Sequence, residues 1–219
     1  MTDLFREVDE EVRRDKAAEF WKKHSNWIFG AAALILAGVA GWQLWQYNQQ
    51  KQIAEAGGRF ETAMTLARAG KHKDAAGSFQ KLAEEAPGGY RQLARFRAAA
   101  ELAATDAAGA VKAFDVLAAD PVNGGTLQDL AKIHAAHLLI DTAAYKELLA
   151  RVETLAAGTG AWRNAAREIL GLSAFKNGDM DAAGRWLDQL IIDRETPGQM
   201  RQRAELLMEL IRGAAPAKG

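Results

Sequence analysis

Polar and apolar positions divide this chain into three regimes. The first 26 residues are dense in charge, with Leu4, Val8 and Val12 at every fourth position. Glu10 with Arg14 and Glu19 with Lys23 stand at the i,i+4 spacing that supports a helix. A short amphipathic leader helix is predicted, its role open between solvated surface, headgroup contact and partner contact. From Ser25 to Gln50 no side chain is charged, and the centre, Trp27 to Trp45, is a run of Ile, Phe, Leu, Val, Ala and Gly bracketed by tryptophans. From Gln52 onward Ala, Leu, Glu, Gln, Lys and Arg dominate and β-branched alternation is missing. Breaks fall at Gly57-Gly58, Gly70, Pro87 to Gly89, Pro121 to Gly125, Gly158 to Gly160, Gly178 and Pro197-Gly198. They predict helices of about 10 to 16 residues joined by short connections.

The uncharged run has the length of a membrane span. At 1.5 Å per residue its centre makes a helix of roughly 28 Å, close to the thickness of a hydrocarbon core. Trp27 and Phe29 at one end, and Trp42, Trp45 and Tyr47 at the other, suit headgroup depth. A buried helix of a soluble domain rarely stays uncharged on every face for so long. Gly38-Val39-Ala40 resembles a signal cleavage site, but the leader holds seven acids (Asp3, Glu7, Asp9, Glu10, Glu11, Asp15, Glu19) where a signal peptide is short and basic. An uncleaved anchor is therefore favoured. Arg13, Arg14, Lys16, Lys22 and Lys23 before the run, against Lys51 and Arg59 after it, put the N-terminus in the cytoplasm. The rest of the chain is then periplasmic in a Gram-negative cell. Ala33, Ala37 and Gly41 make a small-residue stripe that reads equally as a helix-packing surface and as a generic Ala-rich span.

The helical remainder repeats. Gly70, Ala75, Phe79 and Leu82 recur 108 residues later as Gly178, Ala183, Leu187 and Leu190. Ala110, Phe114 and Leu117 follow the first set at 35 residues, and Leu148, Val152 and Leu155 at 73. Four units of 35 to 38 residues result, each read as helix, tight turn, helix. Glycine permits the positive φ of the turn, a small residue early in the second helix lets the pair approach, and bulky residues fill the space toward the next unit. Asp-Ala-Ala-Gly at 74, 106 and 181 is a false guide, because the second copy is out of register and the third is displaced by one.

Ala63, Leu66, Gly70, Ala75, Phe79, Leu82 and Pro87 stand at the spacings of the tetratricopeptide signature, as do Leu170, Gly171, Ala174, Gly178, Ala183, Leu187 and Leu190. The chain resembles that family. Units two and three depart from it, with Thr105 and Ala143 at the turn position, and no unit has the early aromatic of the first helix. The whole layout, a charged leader, an anchor ending Gly-Trp-Gln-Leu-Trp and repeats beginning Gly-Gly-Arg-Phe-Glu-Thr-Ala-Met, is similar to the YfgM-like ancillary subunits of the Sec translocon. That resemblance implies a periplasmic repeat domain beside the protein-conducting channel, associated with periplasmic chaperones and without chemistry of its own.

An all-α chain is expected: a single N-terminal transmembrane helix followed by a tetratricopeptide-like solenoid. Its parts are a leader (1–26), the span (27–46), a juxtamembrane segment (47–58), four helix pairs (59–197), a capping helix (198–213) and a disordered tail (214–219). Met200, Ala204, Leu207, Met208 and Ile211 form the inner stripe of the cap. In the repeat register Phe60, Met64, Arg95, Ile133, His137, Glu168 and Leu172 approach a concave face suited to peptides or partner helices.

Composition then removes alternatives. Lys+Arg 28 against Asp+Glu 28 gives no field that favours nucleic acid. Absence of Cys excludes disulfides and thiol chemistry. His134, His137 and Asp141 share a helix face at i, i+3 and i+7, but no motif adds an open coordination site or a base, so a helix surface is the better reading. Ser25, Ser78 and Ser173 lie in no nucleophile motif, and no phosphate loop is present. The expectation is an interaction protein without enzyme activity, cofactor, metal or small-molecule substrate, which binds protein partners at the membrane. The other reading is a scaffold for envelope assembly or cell division, with a metal-dependent enzyme a distant third.

Overall fold

A computed structural model describes residues 2–214, and among the described residues every regular element is helical. The chain divides into two compact units, 1–54 and 55–219. Helix α1 (Thr2–Arg68) forms the first unit and supplies residues 55–68 to the second.

In the first unit the stretch from Phe29 is long and apolar enough to cross a membrane, and none of its described residues is buried within the protein. Trp27, Leu34, Leu36 and Trp42 are all exposed. Among the described residues, Trp21 meets Phe29 edge to face at 6.0 Å, and Trp42 and Trp45 are tilted together at 5.1 Å. A helix surface with so many large apolar side chains exposed is suited to apolar surroundings. The leader backbone is helical from Thr2, while the side chains of Leu4, Val8 and Val12 lie outside the described residues.

The second unit is a series of antiparallel hairpins. Residues 55–68 pair with α2 (His72–Glu85), α3 (Gly88–Leu102) with α4 (Ala107–Ala119), α5 (Gly124–Leu139) with α6 (Tyr145–Ala157), and α7 (Arg163–Lys176) with α8 (Met180–Ile192). Helix α9 (Gly198–Ala214) packs on α8 and α7. It ends on Ala214, and residues 215–219 of the expected tail lie outside the described residues. Neighbours in sequence are neighbours in space, which is the logic of a repeat array.

The core follows the repeat register. Ala75, Phe79 and Leu82 are buried on α2, Ala110, Phe114 and Leu117 on α4, Leu148 and Val152 on α6, and Ala183, Leu187 and Leu190 on α8. These residues form a row of small cores shared between consecutive helices. The first and fourth turns repeat as well. Gly70 and Gly178 adopt φ 73° and 80°. The following N–H reaches back to close each helix, Lys71 N to Leu66 O and Asp179 N to Ala174 O, both 3.0 Å. That is the six-to-one closure of a glycine-ended helix. Thr105 and Ala143 keep negative φ; their turns close instead through Asp106 N to Leu102 O (2.8 Å) and Ala143 N to Leu139 O (2.9 Å). Asp106, out of register in sequence, is there as the N-cap of α4, its carboxylate accepting from Gly109 N at 2.8 Å.

One predicted break does not form. Helix α1 runs unbroken through Gly57-Gly58. A Cβ on Gly57 would stand 3.0 Å from the Tyr90 hydroxyl, so this glycine serves close helix approach rather than a turn.

Candidate functional site

The first helices of the four pairs carry every residue the sequence assigned to partner contact. Phe60 is half-buried, its ring 5.1 Å from Phe79 and 6.0 Å from Tyr90, and Met64 packs on the same cluster. Ile133 is buried and Leu172 half-buried in another cluster, around Leu148 and Leu170. Packing thus brings Phe60 together with Met64, and Ile133 together with Leu172. His137, near the end of α5, is exposed.

The two charged members are engaged within the array. Arg95 donates through Nη1 to Asp120 Oδ2 at 2.6 Å, tying α3 to the turn before α5. That bond, with the N–H of Val122, holds the Asp120 carboxyl below the usual carboxylate range. Glu168 on α7 accepts from Arg203 on α9 at 2.7 Å. Arg95 and Glu168 therefore serve helix registry, and accessible contact from this set centres on His137, with Met64 and Leu172 half-buried beside their cores.

His134 and Asp141 are separately engaged. His134 stacks on Phe114 with centroids 4.9 Å apart and planes at 11°. Partial burial, and then the neighbouring His137, lower its pKa. Asp141 pairs with Lys176 of α7. Among the described residues no three His, Asp or Glu are placed to hold a metal ion.

Two features are absent from the sequence reading. The first is an ion cluster at the fourth pair. Asp193 Oδ2 accepts from Arg163 Nε and Arg167 Nη1, both 2.8 Å, and its Oδ1 accepts from the Glu195 N–H at 2.9 Å. Arg163 also donates to Glu195 at 2.7 Å, and Arg201 of α9 donates to the Asp193 carbonyl at 2.9 Å. These donors hold the Asp193 carboxyl far below its ordinary range and push the Arg163 guanidinium above its own. The i,i+4 arginines and the Asp-Arg-Glu of the following loop were the available signal. The second is a groove of about 320 Å³ between α2, α3 and α4, floored by Ala76, Ala83, Ala98 and Ala113, with Val116 exposed at its rim. Alanine at those positions leaves the facing helices unfilled, a consequence of side-chain size that periodicity alone does not report.

A stacked series of helix hairpins, the first and fourth closed at glycine, with small cores shared between consecutive helices, defines a tetratricopeptide-type repeat protein. The model of the tetratricopeptide repeat-like domain family matches residues 18–191, and the chain belongs to that family. It is also similar to the ancillary SecYEG translocon subunit of Haemophilus influenzae (strain ATCC 51907 / DSM 11121 / KW20 / Rd), 33% identical over 55 residues, 25% of this chain. That match spans 27% of the relative's length. No solved structure matches the chain.

Proposed function

We propose that this protein is a membrane-anchored, non-enzymatic interaction module that stands beside the Sec channel and links exported chains or periplasmic chaperones to it. The observation that carries the reading is the extent of the family match. It begins at residue 18, before the apolar run, and ends at 191, which supports reading the run and the repeats together. The similarity to an ancillary translocon subunit supports the choice of membrane complex. In this reading the span crosses once with the N-terminus cytoplasmic, Ala33, Ala37 and Gly41 approach a membrane partner, and the first helices of the pairs meet polypeptide through surfaces around Met64, His137 and Leu172.

A photo-crosslinking side chain placed at His137 of the full chain, in intact membranes, tests this directly. Adducts with translocon subunits or periplasmic chaperones are the expected result. Adducts confined to this chain itself or to wall-building enzymes would replace the proposal with a scaffold for envelope assembly or cell division.

A further inference from the structure

Helix α9 closes the array with one face and leaves the other open. Ala204 and Met208 are buried against Leu187 and Leu190. Leu206 and Leu210, one turn apart on the outer side, are 62% and 59% exposed. A cap whose only task is a soluble outer surface has no use for two leucines in line there. The charges beside them are unequal. Glu205 and Glu209 line one flank, both exposed and neither in an ion pair or hydrogen bond. Arg203, on the other flank, is already held by Glu168 at 2.7 Å. Arg212, exposed in the last turn, lies three residues past Glu209 on the carboxylate flank, so that flank carries two carboxylates against one guanidinium.

We propose that this outer face of α9 docks a helical segment of another protein that carries two apolar side chains one turn apart, flanked by Lys or Arg. The leucines supply the desolvated contact and the two free carboxylates select the sign of the partner's flank. A second copy of this chain fits poorly. Antiparallel helices related by a two-fold axis bring the same flank of each together, so Glu205 and Glu209 would face their own duplicates. A parallel pair would instead oppose them to Arg203, whose charge Glu168 already neutralises. This surface lies on the side of α9 away from the repeats, and it holds or fails independently of the contacts proposed around His137.

The test uses the full chain in zwitterionic nanodiscs and two synthetic helical peptides. Both carry Leu at i and i+4; one is flanked by Lys and the other by Glu. Fluorescence anisotropy should show the Lys-flanked peptide bound about tenfold more tightly than the Glu-flanked one. The pair Leu206→Ala and Leu210→Ala should lower that affinity about tenfold with an unchanged helical circular-dichroism spectrum. Glu205→Lys with Glu209→Lys should invert the preference between the peptides. Equal binding of both peptides, binding to empty nanodiscs, or indifference to all four substitutions would overturn the proposal. So would dimers of the chain that dissolve on removing Leu206 and Leu210, since the occupant would then be a second copy.

Discussion

Phe79 and Phe114 occupy the same place in the first two pairs, each at most 1% exposed, and each leans on an aromatic neighbour from a different helix. Truncating Phe79 to Ala leaves a void bounded by Phe60, Leu82 and Ala94, and should destabilise by about 3–5 kcal/mol in urea unfolding. His134 makes a pH-dependent contribution beside Phe114. Its folded pKa lies below the ordinary value, so the unfolded chain takes up the proton first as pH falls from about 6.5. The stabilisation is complete above that pH and is lost as pH drops through the folded pKa. The urea midpoint should decline as pH falls below about 6.5, and His134→Gln should flatten that decline. Asp193 has the same sign at lower pH, because its depressed carboxyl stabilises the fold above about pH 4 and loses that effect as acid protonates it. Sequence spacing assigned the phenylalanines to the core without difficulty. It could not assign Arg95, Glu168 or Asp193, because an ion pair between helices depends on rotamers and partners more than 24 residues away.

Glycines at the element scale do opposite jobs. Gly178 holds φ 80°, so Gly178→Ala should destabilise by about 1–2 kcal/mol. Gly58 is helical with open space where a Cβ would go, so Gly58→Ala should stabilise by about 0.5–1 kcal/mol. Thermal melts of the two variants should shift in opposite directions. The amino-acid type is the same at both sites, which is why the predicted break at Gly57-Gly58 was wrong while the one at Gly178 was right. What separates them is Tyr90, brought against Gly57 by α3. In the apolar run, the proposed packing of Ala33, Ala37 and Gly41 on a membrane partner predicts that Ala37→Leu reduces recovery of that partner by co-purification; undiminished recovery would remove helix packing from the proposal.

Across the whole molecule the repeat array is a chain of local interfaces, so its ends carry the most exposed risk. Deleting 198–214 uncovers Leu187 and Leu190, which are fully buried now. The shortened chain should melt earlier and over a broader range, and should aggregate; a sharp, unshifted transition would show that α9 closes nothing. Topology is tested by alkaline phosphatase fusions at residue 10 and at the C-terminus. Activity is expected only at the C-terminal fusion.

By itself the sequence determined the helical class, the period of about 36 residues, the apolar run and most of the buried positions of the second helices, though not that Ile133 is buried. Each of these is a one-dimensional pattern, set by helical spacing, side-chain size and the conformational freedom of glycine. Tertiary structure decided which charges are committed and which remain free. Arg95 and Glu168 were tied to Asp120 and Arg203, while Glu205, Glu209, Leu206 and Leu210 were left facing outward. The physical reason is that a charge is settled by the partner that folding brings within hydrogen-bond reach, and that partner lies on another helix.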